Sequence, residues 1–489
     1  MPYFDFLLFF CCIFVKFALW YLKKSRGIYI IYYKSFTRWN TDNLSSFLKD
    51  SEKIGFLGFG RSNRAVLEYL GKFADVQAVI RDEKDVGASH TDAKVLCGRH
   101  AFDEPYEDIL FLSPSVRRER AEIKKMLRRG VRLSSDAELF FSLCRSPVLA
   151  VSGSDGKSTT VKMAEAILRR GGVSALACGN VGIPFVTALC SDVSCAVAEI
   201  SSFTLEYTAP KTRRAVITNI TENHLDWHGS FDGYIKAKEN LILGTKEAIL
   251  SPDTAASLPL IDKHRPWGLF SSRLSYALLS RRYPFAKHYF TAEDGAIRID
   301  GEPVIAIDCL ARREEHNIQN ALAAMALTHG LFNTDGGIEA LSDFKLLPHR
   351  MEEVALINGV RFVDSSIDST PNRTAVTLSA MPSGITVILG GRGKGLSYAP
   401  LVDALSEKAK SIVICGENRQ EIYAALSVSP TLSQRVVMRD GLREAVRYAM
   451  ENASYGDTVL LSPASTSFDA FSSFEERGNK FKEFINSEG

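Results

Sequence analysis

From Lys53 onward the chain alternates short apolar runs with stretches whose apolar residues recur every three or four positions. Ile54–Leu57, Ile109–Leu112, Pro147–Val151, Cys195–Ile200 and Ala215–Ile220 are runs of the first kind, each ending at Gly, Ser or Thr. Their length and their boundaries predict buried strands. Periodic stretches predict helices over Ala65–Leu70, Ala121–Arg129 (stopped by Gly130) and Val161–Arg170 (closed by Gly171 and Gly172). A further unit begins near Pro348, with strands at Arg361–Asp364, Thr386–Gly390, Ile412–Cys415 and Thr458–Ser462. Helical stretches such as Leu401–Lys408 and Arg443–Met450 separate them. Alternation of this kind predicts an α/β protein built on parallel sheets. No repeat of solenoid period is present.

Length turns this pattern into a domain count. At roughly 150 residues per domain, 489 residues give about three. Three domains are expected: residues 51–145 and 347–489 Rossmann-like, and 146–346 a central P-loop ATPase-type parallel sheet. With 46% apolar and 24% charged residues, disorder, collagen and a polytopic membrane protein are excluded for the bulk of the chain. A net charge of +2 gives no ground for a nucleic-acid partner. Nine scattered cysteines without a CxxC fit reduced cytosolic thiols rather than a disulfide framework or a cysteine zinc site.

Residues 1–50 stand apart. They hold fifteen aromatics, and Phe6–Leu22 contains a single charge, Lys16, before Lys23, Lys24 and Arg26. Eleven of those seventeen residues are Leu, Ile, Phe or Val, contributing about −3 to −7 kcal/mol to membrane insertion against about +3 for the lysine. An inner-membrane tether with the remainder in the cytoplasm is one reading. A buried helix is another, and translated upstream sequence or a disordered tail is a third. Membrane contact is expected only under the first.

Two glycine-rich turns carry the candidate chemistry. Gly58-Phe59-Gly60-Arg61-Ser62-Asn63 sits between a strand and a helix, as in a dinucleotide fold, but lacks the third glycine. The stronger signal is Gly153-Ser154-Asp155-Gly156-Lys157-Ser158-Thr159. Its glycines let backbone N–H groups close on phosphate oxygens, and the following helix aims its positive end at the anion. Lys157 suits the β/γ-phosphates, and Ser158 or Thr159 suits Mg²⁺. Val151 stands where the usual Walker pattern has its first glycine. Glu199 ends an apolar strand, on the ligand side of a parallel sheet, with a capping role as its alternative. His224 reads as a metal ligand or a structural histidine, and Lys238, on a predicted helix, as a solvated charge by default.

Taken in order, GFGRSN, GSDGKST, GNVG, EISSF, NITENHLDWH, YIKAK, EHNIQN, LPHR, LGGRGKG and LSPASTSFDAFSSFEERG resemble the Mur ligase family over roughly residues 54–485. The set is nearest that of the branch adding D-glutamate. The resemblance implies an ATP-dependent ligase of peptidoglycan precursor synthesis, expected to be a cytoplasmic monomer. The carboxylate of UDP-N-acetylmuramoyl-L-alanine would be phosphorylated and then captured by the amine of D-glutamate. Gly153, Ser154, Asp155, Gly156, Lys157, Ser158 and Thr159 would hold ATP, with Asn317, Asn320 and Arg350 around its base and ribose. Ser158, Glu199, His224 and Lys238, the last carbamylated, would serve Mg²⁺, expected as two ions. Lys157, Glu199, His224 and Lys238 are the implied catalytic set. Gly58, Gly60, Arg61, Ser62, Ser113, Asn180 and Ser201 would take the UDP substrate, and Lys394, Ser467 and Phe474 D-glutamate. A hinge is expected near Leu346–Pro348.

The chain departs from the family at Asp364-Ser365-Ser366-Ile367-Asp368, where Ser365 stands for the usual Asp and Ile367 for the Lys. Asp364 is the residue expected to take over the nucleotide contact. Alternatives are a sibling ligase, of the Mur or folylpolyglutamate type, with another amino acid, and a membrane-tethered nucleotide-binding scaffold.

Overall fold

The computed structural model describes residues 43–49, 53–73, 76–84, 93–103, 106–258, 265–331, 335–345 and 348–488. The Phe6–Leu22 stretch and the first two residues of the expected hinge lie outside them. Among the described residues no helix is long and apolar enough to cross a membrane, and none of the seven cysteines is in a disulfide. The chain divides into two compact units between Phe344 and Lys345.

The first unit holds two sheets. One consists of β1 (Lys53–Leu57), β2 (Gln77–Asp82), β3 (Lys94–Cys97), β4 (Ile109–Leu112) and β5 (Arg132–Ser134) in the order β3-β2-β1-β4-β5, all parallel. Helix α1 (Arg61–Phe73) leaves the glycine turn after β1 and buries Val66, Tyr69 and Leu70. The other sheet has a parallel body of β6 (Val148–Ser152), β7 (Ala175–Gly179), β8 (Cys195–Glu199), β9 (Arg214–Ile217), β10 (Ala248–Leu250), β11 (Gly268–Ser271) and β12 (His288–Glu293). Two antiparallel strands follow, β13 (Ala296–Ile299) and β14 (Glu302–Ala306), and the order is β14-β13-β12-β11-β10-β9-β6-β8-β7. The central strands β6 and β8 are buried along their full length, which is why they read as unbroken apolar runs. Phe140 and Phe185 pack at 5.5 Å within the core cluster that the two sheets share.

The second unit has the sheet order β15-β16-β20-β17-β18-β19, with β15 (Glu352–Ile357), β16 (Val360–Asp364), β17 (Ile385–Gly390), β18 (Ala409–Cys415), β19 (Val436–Met438) and β20 (Thr458–Leu461). Here β15 is the antiparallel strand. The antiparallel edges of both sheets come from one device. Asp294-Gly295, Asp300-Gly301 and Asn358-Gly359 all have positive φ and join neighbouring strands as two-residue turns. That is the hairpin geometry matching the right-handed twist of strands.

Candidate active site

Strand β6 delivers the chain into the glycine loop, and α2 (Lys157–Arg170) leaves it. Gly153 has φ +146 and Gly156 φ +79, backbone conformations that a side chain resists. Space gives a second reason for glycine: a Cβ would run into Thr218 Oγ1 at the first position and Asn320 Oδ1 at the second. The segment after β9 clamps the loop. Ser154 N and Asp155 N donate to Asn219 O and Oδ1, both at 2.9 Å, and Thr218 Oγ1 donates to Asp155 O at 2.5 Å. Lys157 Nζ donates to the carbonyls of Gly153 (2.9 Å) and Ser154 (2.8 Å), so its ammonium lies across the loop. Ser158 and Thr159 stand in the first turn of α2.

Glu199 is the last residue of β8, the neighbour of β6. It is buried, and its Oε2 has no hydrogen-bond partner among the described residues. A sealed carboxylate oxygen without a donor is costly unless a cation meets it, and Mg²⁺ prefers such oxygen ligands. The two turns beyond Glu199 reach His224: Phe203 lies 4.7 Å from its ring and also packs on Trp227 and His228. His224 itself has φ +54 and opens a short helix.

Helix α3 (Phe231–Gly244) carries Lys238. The default reading as a solvated charge does not hold for it: the side chain is 1% exposed, with Nζ 4.5 Å from the Tyr234 ring. The helix turns this face inward, where Tyr234 OH meets Ser154 Oγ of the phosphate loop at 2.9 Å. Burial, reinforced by the nearby Lys157 charge and opposed by Asp155, pushes the Lys238 ammonium well below the ordinary lysine range.

Asn320 lies on α4 (Glu315–Thr328), beside Gly156 and 3.4 Å from Thr160 Oγ1. Asn317, one turn earlier, donates to Glu314 Oε2 at 3.0 Å. Asn180 follows β7 and donates its backbone N–H to Glu199 O at 3.2 Å. Ser201 caps a short helix by accepting from Thr204 N at 3.2 Å. Arg61 bridges the two sheets: its Nη2 donates to Gly179 O at 2.8 Å and to Asn180 O at 3.3 Å. Gly58 and Gly60 face Ser113 across the first sheet's C-terminal edge. Ser62 hydrogen-bonds Asp136, a carboxyl raised by burial.

The second unit places its expected residues as follows. Asp364 ends β16 and is fully buried, with Oδ2 on His349 Nδ1 at 2.7 Å and Oδ1 accepting from Ser366 N at 2.9 Å. It therefore braces the turn that carries Arg350, between His349 (φ +66) and Met351 (φ +47), rather than presenting an oxygen to solvent. Ser365 has a related task, its Oγ accepting from Met351 N at 3.3 Å. Lys394 is exposed, with Nζ 3.4 Å from Ser369 Oγ. Ser467 is buried, and Phe474 opens α5 (Phe474–Glu488) with its ring 6.3 Å from His349.

Three further residues, two in the first unit and one in the second, had no role in the sequence reading. Asp82 ends β2 and accepts from Phe59 N at 2.6 Å, an acidic residue beside the glycine turn. Its signal was an Asp closing the next strand. Tyr234 opens the YIKAK motif, four residues before Lys238, without a role of its own in that reading. Arg477 is buried and spans the carbonyls of Ser366 (2.9 Å) and Ser465 (3.0 Å), with burial lowering its pKa to about 10. It stands in the LSPASTSFDAFSSFEERG motif, where nothing in the string marks it as buried.

A glycine loop between a buried strand and a helix, with a cation-seeking carboxylate on the adjacent strand, defines a P-loop nucleotide enzyme. The pattern of the Mur ligase middle domain matches residues 151–328, and that of the Mur ligase glutamate ligase domain matches 349–465. The UDP-N-acetylmuramoylalanine–D-glutamate ligase of Acetivibrio thermocellus is 32% identical over 461 residues, covering 89% of this chain and 97% of that protein. The ligase of the same name from Ruminiclostridium cellulolyticum is 32% identical over 467 residues, covering 91% and 99%. The chain belongs to the Mur ligase family. Its fold is also that of UDP-N-acetylmuramate–alanine ligase MurC from Thermotoga maritima (TM-score 0.60, 18% identity, 89% of this chain and 100% of that one). The MurF ligase of the same organism in complex with ADP gives a TM-score of 0.53 at 14% identity, over 90% and 96%.

Proposed function

We propose that the chain is an ATP-dependent amide ligase that joins D-glutamate to UDP-N-acetylmuramoyl-L-alanine in the cytoplasm. Near full-length similarity to ligases of that name supports the choice of substrates. The observation that carries the chemistry is the Glu199 oxygen, buried beside the phosphate loop without a donor among the described residues.

Both reactants of the first step, a carboxylate and a triphosphate, are anions. Positioning and screening of their charges supply most of the acceleration in phosphoryl transfer. The loop N–H groups and the start of α2 hold the β- and γ-phosphates, and Lys157 swings from its carbonyls to the γ-phosphate. Ser158, Glu199 and His224 are the donors for Mg²⁺, which when bound offsets charge on the phosphate oxygens. Asn317 and Asn320 serve the base and ribose, and Arg350 is a further nucleotide-binding residue of this reading. Arg61, Ser62, Ser113, Asn180 and Ser201 orient the UDP-sugar so that its carboxylate meets the γ-phosphate in line. The acyl phosphate that forms is then open to the D-glutamate amine, whose carboxylates Lys394 meets with Ser467 and Phe474. The amine loses a proton, the C–N bond forms, and phosphate leaves.

Lys238 belongs to the same reading as a carbamate. Burial favours its neutral amine, the form that adds CO2 with loss of one proton and becomes an anion. An anion there faces Lys157 and a metal favourably, where an ammonium would face them unfavourably.

The test is phosphate release from ATP with UDP-N-acetylmuramoyl-L-alanine, varying the amino acid. Release that depends on D-glutamate and not on L-lysine, diaminopimelate or glutamyl folates is expected. Release indifferent to D-glutamate would refute the assignment.

A further inference from the structure

The parallel strands β9–β12 start at the edge opposite the phosphate loop, and a cluster there takes no part in the chemistry above. His288 opens β12, Asp300 follows β13, and His329 is the C-cap of α4. One donor atom from each lies within 4.8 Å of the other two. His288 Nδ1 and Asp300 Oδ2 are 2.8 Å apart, and the other Asp300 oxygen accepts from Tyr289 N at 2.8 Å. The left-handed backbone of Asp300 (φ +53), in its turn with Gly301, sets the carboxylate beside the start of β12. The His329 ring stands 5.0 Å from that of His288.

Two imidazoles and one carboxylate form a donor set suited to Zn²⁺, Ni²⁺ or Cu²⁺ rather than to Mg²⁺ or Ca²⁺. The surroundings admit a cation. The C-terminal end of α4 carries partial negative charge. Arg214 meets part of it by donating to the carbonyls of Ala326, Leu327 and His329, and its own charge is met by Glu247 at 2.6 Å. The His288 and Asp300 side chains are 21% and 38% exposed, so an ion can enter and water can complete its shell.

We propose that His288, Asp300 and His329 form a second metal site, for a zinc-class cation, that pins the β12–β13 hairpin to the end of α4. On binding, the metal takes the place of the proton between His288 Nδ1 and Asp300 Oδ2: a neutral imidazole carries that proton on Nε2 instead, and an imidazolium releases one proton to solvent. Metal bonds form to that nitrogen, to the carboxylate oxygen and to a His329 ring nitrogen. Tetrahedral zinc needs its donors about 3.3 Å apart, within reach of side-chain rotation from the present spacing. The pinned helix carries Asn317 and Asn320 toward its other end, so the site steadies an element of the nucleotide pocket from a distance.

Trp267 is a built-in reporter, 4.6 Å from the His288 ring and 6.4 Å from that of His329. Ni²⁺ titrated into the full-length protein with excess Mg²⁺ should quench tryptophan emission saturably at one equivalent. Trp267→Phe should lose that quench. His288→Gln and His329→Gln should weaken binding on the order of 100-fold. Asp300→Asn tests the carboxylate without threatening the fold, because Asn tolerates the left-handed backbone. It should abolish the rise in Tm that Zn²⁺ gives the parent. A quench that survives in Trp267→Phe, or ligand variants that bind Ni²⁺ like the parent, would overturn the proposal and point elsewhere, to exposed thiols such as Cys97, Cys190 and Cys309.

Discussion

Replacing Gly153 by alanine tests how tightly the phosphate loop is defined. At φ +146 an alanine is strained by about 1–3 kcal/mol. Its Cβ would press on the Thr218 hydroxyl and stand 3.1 Å from Thr218 N, so backbone as well as side chain resists. Moving that hydroxyl breaks its bond to Asp155 O, worth about 0.5–1.5 kcal/mol. Together the loss is about 2–4 kcal/mol. A stability of about 5–15 kcal/mol leaves the protein folded. If the loop escapes strain by leaving its cradle shape, nucleotide binding bears the loss instead, roughly 30- to 700-fold in Kd. Urea unfolding and calorimetric titration with ATP, run on the same samples, separate the two. In a Thr218→Ala background the Gly153→Ala cost should shrink by about 1 kcal/mol, since the hydroxyl is gone while backbone strain and the contact with the residue-218 backbone remain. A Gly153→Ala protein unfolding within about 0.5 kcal/mol of the parent, with ATP affinity within about twofold, would refute the reasoning.

Lys157→Met should lower kcat by about 10²–10³, because one cation facing the transferring phosphate is lost; an unchanged kcat in steady-state assay would exclude that role. Lys238→Ala should be inactive and partly restored by formate or acetate in solution, while methylamine should not restore it; failure of both acids counts against the carbamate. Arg61→Ala should raise KM for the UDP-sugar about tenfold through its lost bonds to Gly179 and Asn180, leaving KM for ATP unchanged; a rise in both would make Arg61 a general structural strut. Asp368 is held above the ordinary carboxylate range by burial, although Ser365, Thr377 and Ser462 donate to it. The folded protein therefore keeps this proton to higher pH than the unfolded chain, and stability falls as pH rises from about 4 through the folded pKa. Asp368→Asn lacks that loss, so its urea midpoint should gain on the parent between pH 4 and 8; a constant difference would contradict the assignment.

The sequence revealed most where the physics is local. The run Ile109–Leu112 is β4 residue for residue, and Cys195–Ile200 overshoots β8 by one. The helix after the phosphate loop starts four residues earlier than its apolar period predicts. Lys157-Ser158-Thr159-Thr160 is polar and invisible to periodicity, while the left-handed Gly156 fixes the start. The antiparallel edges were legible in Asp-Gly and Asn-Gly pairs but lie outside an alternation argument. Lys238 shows what a sequence conceals. A lysine on a helix is usually solvated, and only packing of α3 against the phosphate loop buries this one. Asn320 meets Gly156 across 164 positions of chain, a contact no local pattern could give. Asp364 reads as an acidic residue at a strand end, but its partner His349 turns it inward.

The central claim is that Lys157, Glu199 and their neighbours allow one anion to attack another, so that the sugar-linked carboxylate carries phosphate before it meets the amino acid. Isotope transfer measures this directly. With UDP-N-acetylmuramoyl-L-alanine labelled with ¹⁸O in its carboxylate, one labelled oxygen should appear in each inorganic phosphate released, in step with D-glutamate consumed. Unlabelled phosphate, with the ¹⁸O lost from the carboxylate appearing in water instead, would contradict the account.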